Sequence, residues 1–162
     1  MPTIKTADLT LTVGLHFDVT TGSARTLAFD DAPEGGLAPV ETVLAALAAC
    51  SAMDVVSIAL KKRQGITRYE VHARGEQRDA YPRVYARIDL VHEVVGPDVD
   101  VAAIRRCIEL SATKYCPVNA MLSAGATEVH HAYRVVRPGG AIEEGEVLVT
   151  GPYRRPEVVD QV

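Results

Sequence analysis

Near the start of the chain Leu9, Leu11, Val13, Leu15 and Phe17 alternate with Thr10, Thr12, Gly14 and His16. A period of two predicts one half-buried β-strand. A turn at Thr-Thr-Gly-Ser, residues 20–23, and a second strand around Leu27 and Phe29 complete a hairpin. The polar run over residues 30–36 leads to Pro39, whose fixed φ and missing N–H suit the first position of a helix, and Glu41 favours the positive end of the helix dipole. This helix is expected over residues 39–64, with Gly65 as its stop. Val43, Leu44, Leu47, Met53, Val55, Val56, Ile58 and Leu60 surround its axis instead of forming one stripe, so it needs cover on nearly every side. A second copy of the chain is a natural source of that cover, a symmetric dimer being the commonest arrangement, and the chain's own strands are the competing source.

Residues 69–78 and 83–94 read as a second pair of strands around Asp-Ala-Tyr-Pro. Asp98 and Asp100 both offer N-caps for a helix carrying Val101, Ile104, Ile108 and Ser111 on one face. Pro117 disfavours the α conformation at Cys116, so this helix should end near Tyr115. A new one then begins at Pro117 and ends at Gly125, with Cys116 as its N-cap. Residues 127–136 predict another strand, and Val147 with Val149 a weak last one before a charged tail that starts at Pro152. Strands and helices in this order fit an α+β fold with mostly antiparallel pairing. There is no Gly-rich phosphate loop, no GxSxG elbow and no internal repeat, and no cofactor is expected.

A chain of 162 residues is long enough for one domain with a sizeable core and short for two. Its 17 basic and 21 acidic side chains leave a net charge of -4 without a basic stripe, which argues against a nucleic-acid partner. The N-terminus lacks the apolar region of a signal peptide, and three cysteines are an odd number for a disulfide-stapled secreted domain. A reducing cytoplasm is the expected location. The most apolar stretch, residues 42–53, is uncharged for only twelve residues between Glu41 and Asp54, well short of the roughly 20 that span a bilayer. A buried soluble helix is expected there, with no membrane contact.

The chemistry gathers at two cysteines. Cys50 interrupts the Ala-rich helix, and Cys116 stands at the predicted helix-to-helix break in Lys-Tyr-Cys-Pro-Val-Asn. If the two thiols meet, they form a candidate redox pair; spacing leaves that open. By position alone Cys116 is the more activated, at a helix N-terminus beside Lys114. Asp54 and Ser57 share the Cys50 face one and two turns on, as groups that satisfy a polar interface. Cys107 lies at helical spacing with Ile104, Ile108 and Ser111 and reads as core. His130 and His131 are adjacent on a strand and point to opposite faces, so both cannot hold one metal. A zinc site from Cys50, Cys116 and one histidine would lack the closely spaced ligand pairs of structural zinc, and no metal is expected.

The run Gly-Gly-Leu-Ala-Pro-Val-Glu-Thr-Val-Leu-Ala-Ala-Leu-Ala-Ala-Cys-Ser-Ala-Met-Asp, followed by Leu-Lys-Lys-Arg-Gln-Gly and later by Leu-Ser-Ala-Thr-Lys-Tyr-Cys-Pro-Val-Asn-Ala-Met-Leu, resembles the OsmC/Ohr family. These are osmotically inducible and organic hydroperoxide resistance proteins. The resemblance covers residues 9–137 of a single domain spanning 1–162 and leaves 138–162 as a C-terminal extension. It implies an intertwined α+β homodimer, with antiparallel sheets around long central helices and active sites at the subunit interface. It also implies thiol-dependent reduction of organic hydroperoxides, with Cys50 as the peroxidatic cysteine, Cys116 as the resolving one and an external dithiol as reductant. In the family's peroxidase branch an arginine from the N-terminal hairpin and a glutamate just after the helix-starting proline complete the site. Arg25 is the best match to the arginine, whereas the glutamate's place is held by Val40, one position before Glu41. On a continuous helix the step from Glu41 to Cys50 is about two and a half turns, which puts the two on opposite faces. Two other classes compete with the peroxidase: a non-catalytic dimer of the same fold that binds a small hydrophobic or acyl ligand, and a metal-binding structural dimer.

Overall fold

Gly14 adopts a φ of +57° in the computed structural model, which describes residues 2–32 and 34–151. That left-handed conformation costs glycine little and starts a two-residue turn through Leu15. The alternating run is therefore two strands, β1 (Ala7–Val13) and β2 (His16–Thr21), paired with Leu11 opposite Phe17 and Val13 opposite His16. Alternation persists through so short a turn, which is why the pattern reads as one strand. After a turn at Gly22, β3 (Thr26–Phe29) pairs antiparallel with β2 to give the order β1-β2-β3. The side chains of β1 are exposed throughout, not half-buried as the pattern predicts. Asp30 accepts a hydrogen bond from His16 Nδ1 at 2.7 Å and raises the histidine pKa above its ordinary value.

These strands belong to the first of two compact units, which ends at Val43; the second starts at Leu44. The boundary falls within the sequence of α1 (Pro39–Lys61), 23 residues long, with Glu41 in its first turn. It stops three residues before the expected Gln64. Arg63 takes the left-handed conformation (φ +57°) usually given to glycine, and the Gln64 and Arg63 N–H groups close back on the Ala59 and Leu60 carbonyls.

In the second unit the sheet order is β4 (Arg68–Gln77), β5 (Tyr85–Val95), β6 (Glu128–Val136) and β7 (Ile142–Thr150). β4–β5 and β6–β7 are antiparallel, while β5 and β6 are parallel. The parallel pair departs from the antiparallel expectation because the chain between them is a long crossover, which lets β6 enter from the same end. That crossover holds α2 (Val101–Leu110), a π-helical turn (Ser111–Tyr115) and α3 (Pro117–Ser123). Asp100 caps α2, its side chain accepting from Ala102 N–H at 3.1 Å. The segment after residue 138 contributes β7 to the sheet; the tail from Pro152 lies outside the described residues.

Alternation on β5 and β6 sends Ile88, Leu90, His92 and Val94, and Val129, His131, Tyr133 and Val135, to the same buried face. Val55 and Ala59 of α1 join Ile104, Cys107 and Ile108 of α2 over one half of it. Leu47 and Cys116 join Ile88, Leu90 and Val129 over the other. Cys107 is fully buried core, as its spacing predicts. Among the described residues α1 is the one helix long and apolar enough to cross a membrane. Its Leu47, Ser51, Val55 and Ala59 nevertheless form a buried line, an i, i+4 row. Met53 and Leu60, at 74% and 64% exposure, face outward. Ile104 is fully buried in the larger cluster, and Ile104→Ala should destabilise the protein by about 2–5 kcal/mol, read as a lower urea midpoint with an unchanged slope.

Candidate functional site

Pro117 carries no N–H and crowds the residue before it, so Cys116 leaves the helical region (φ −75°, ψ 102°) and ends one helix as it caps the next. Its N–H donates to the Ser111 carbonyl across the π-helical turn at 2.9 Å. Its sulfur accepts from the Asn119 N–H at 3.3 Å. This turns the thiol into the core, where it is only 3% exposed. On α1, Cys50 and Asp54 stand one turn apart, half-buried beside the buried line. The two sulfurs and an Asp54 carboxylate oxygen all lie within 4.8 Å of one another.

Burial pushes the Cys116 thiol up to about 12; contact with Cys50 and the charge of Asp54 add to this, and the Asn119 N–H opposes it. The helix N-terminus that singles out Cys116 in the sequence is thus outweighed, α3 being a helix of only seven residues. Cys50 is half-buried, whereas Cys116 is buried.

A buried line of polar groups leads away from the dithiol. Ser111 Oγ donates to Asp54 Oδ2 at 3.1 Å and lies 3.3 Å from Ser51 Oγ. Ser51 Oγ lies 3.3 Å from His92 Nε2, and His92 Nδ1 is hydrogen-bonded to the Tyr69 hydroxyl. A carboxylate can only accept, so the single Ser111 hydrogen goes to Asp54 and the Ser51 hydroxyl donates to Ser111. Ser51 then accepts from His92 Nε2–H, which leaves Nδ1 to accept from Tyr69. Burial holds the Tyr69 hydroxyl pKa high and, with the charge of His131, pulls His92 down to about 3. A second network reaches Cys116 through Asn119, whose Oδ1 accepts from His131 Nε2 and Thr150 Oγ1, each at 3.2 Å. Burial, helped by His130, pulls His131 down to about 4, and its Nδ1 is buried without a partner.

Cys50 and Cys116 are therefore brought together, and the third group at the pair is Asp54. Glu41 is exposed in the first turn of α1, and Arg25 is exposed beside the β2–β3 turn without a salt bridge among the described residues. His130 faces away from the core towards Glu128 and Glu146, opposite to His131. Two thiols and one carboxylate are short of the four ligands of a structural zinc site, and neither buried histidine joins them. Ser51 and Asn119 lie inside the two cysteine runs, next to Cys50 and three residues after Cys116, and the signal for His92 is a polar residue in a core-facing register between Leu90 and Val94.

The family model described as OsmC-like protein matches residues 31–131. The chain belongs to the OsmC-like protein family. Protein YhfA of Escherichia coli is 45% identical over 98 residues, which cover 60% of this chain and 72% of YhfA. A hypothetical protein from Aquifex aeolicus shares the fold with a TM-score of 0.74 at 26% identity, over 85% of this chain and 99% of that one. An organic hydroperoxide resistance protein from Elizabethkingia anophelis aligns with a TM-score of 0.61 at 18% identity, over 85% of this chain and 100% of its own, a likeness of fold alone.

The two buried histidines make acid stability testable. Burial holds their pKa values in the folded protein at about 3 and about 4, below the ordinary histidine value of about 6.5. Below pH 6.5 the unfolded chain binds protons that the folded one refuses, so stability falls as pH drops from about 6.5 towards about 4. Each histidine should contribute a slope approaching about 1.4 kcal/mol per pH unit. Urea titrations at pH 7 and pH 5 should show this loss, and His131→Gln should remove about half of it.

Proposed function

We propose that this OsmC-like protein reduces organic hydroperoxides with Cys50 and Cys116. The observation that carries the reading is the approach of the two sulfurs within 4.8 Å, one on a half-buried residue and one on a buried residue. An ordinary thiol is only about 3% thiolate at pH 7, and the thiolate attacks the peroxide. In the first step the Cys50 sulfur takes the terminal peroxide oxygen, the O–O bond breaks, and the alcohol leaves with the thiol proton. Cys116 then attacks the sulfenic acid, water leaves, and the disulfide is reduced by an external dithiol. Burial of Cys116 supports its resolving role, because a nucleophile with a pKa near 12 has almost no thiolate to offer a peroxide. Arg25 is the candidate cation for the site, and Glu41 serves as a dipole partner at the start of α1.

The working unit in this reading is a cytoplasmic homodimer. The outward face of α1, with Ala52, Met53, Val56 and Leu60, is the surface a second copy would cover. A charge placed in such an interface is costly, so Met53→Glu should convert the dimer to monomer in light scattering.

The roles of the thiols are separable. Cys50→Ser should lose the first oxidation step. Cys116→Ser should consume one equivalent of cumene hydroperoxide and stop at a sulfenic acid on Cys50, seen by mass spectrometry with a sulfenate trap. Trapping on Cys116 in Cys50→Ser would reverse the roles.

A further inference from the structure

Asp54 stands within 4.8 Å of both sulfurs and has no salt bridge among the described residues. Its carboxylate is aimed by a continuous buried chain from Ser111 through Ser51 and His92 to Tyr69. Every hydroxyl and N–H in that chain is spent in the direction of Asp54, so its Oδ2 is held in place as an acceptor. Among the described residues, the titratable groups that face it are the Cys50 thiol on its own helix, the Cys116 thiol from the break before α3 and, two hydroxyls away, His92 from β5. Ser111 faces it from the start of the π-helical turn.

We propose that Asp54 is the catalytic base that receives the Cys116 proton as the disulfide closes, and that Ser111, Ser51 and His92 are positioning residues for it. The inference rests on the dithiol reading above. As the Cys116 sulfur attacks Cys50, its S–H proton passes to Asp54; the Cys50 S–O bond breaks, and the departing hydroxide takes that proton and leaves as water. The carboxylate is returned unchanged. Proton and sulfur move together, so a free Cys116 thiolate, disfavoured by burial and by Asp54 itself, never has to accumulate.

An assay without peroxide isolates this step. Dithiobis(nitrobenzoic acid) converts Cys50 of the reduced full chain to a mixed disulfide and releases one thionitrobenzoate; attack by Cys116 releases the second, and Cys116→Ser gives the baseline. In Asp54→Asn, which keeps the acceptor for Ser111, the second release should slow at neutral pH by about 10²-fold, the lower end of general-base effects. The deficit should narrow as pH rises and hydroxide replaces the missing base. Ser51→Ala should give a smaller deficit with the same pH dependence, and an unchanged rate would overturn the positioning role. If Asp54 acts only through its charge, Asp54→Asn should close faster, because the charge that disfavours the Cys116 thiolate is gone. A faster or equal rate, or no second release in the wild type, overturns the proposal. Asp54-dependent closure in a chain that does not react with cumene hydroperoxide would sink the proposed substrate and leave this inference standing.

Discussion

A helix cannot pass through Pro117 without losing a hydrogen bond and clashing with the turn before it, and that constraint organises the site. The chain answers with one π-helical turn, an extended Cys116 and a new helix. Had α2 continued regularly, Cys116 would remain on a helix surface. The break instead rotates its sulfur into the core against α1, where it accepts from the Asn119 N–H and caps α3. The single Cys-Pro step thus decides the local backbone, the burial of one thiol and the meeting of the two.

Around that break the core is not purely apolar. Ser51, Ser111, Asn119, His92 and His131 are all buried. A buried polar atom without a partner costs about 1–3 kcal/mol, so such groups persist in a core chiefly when each serves another. The two histidines face the same side of the sheet, one reaching Asp54 through two serines and the other reaching Cys116 through Asn119. Their neutral form is enforced by burial, which makes the polar layer sensitive to acid as well as chemically useful. The dithiol and its polar support share this one surface between α1, the crossover and the sheet.

Much of this is legible in the sequence. The start of α1 follows from Pro39, the helix break from Pro117, and the opposite facing of His130 and His131 from the pleat. Reversals hidden inside a regular pattern were not legible: Gly14 turns the chain while the alternation continues, and Arg63 takes a left-handed conformation that the sequence reserves for Gly65. The parallel pairing of β5 with β6 depends on the direction of a crossover, which periodicity does not encode. Asp54 was placed on the correct helix face through its i, i+4 spacing from Cys50. Of its company, Ser51 stands on the same helix, whereas Ser111 and His92 come from two other elements, and only tertiary packing joins those to it. Reading Cys116 by its helix N-terminus misled for a related reason, since burial outweighs a short helix and shows in no local motif.

The most direct measurement is peptide mapping of the reduced wild-type protein after one equivalent of organic hydroperoxide. The account predicts a loss of two thiol hydrogens per chain and one crosslinked pair of peptides, joining Cys50 to Cys116 within the same chain, with Cys107 still reduced. Over-oxidation of Cys50 with Cys116 left as a free thiol would contradict it.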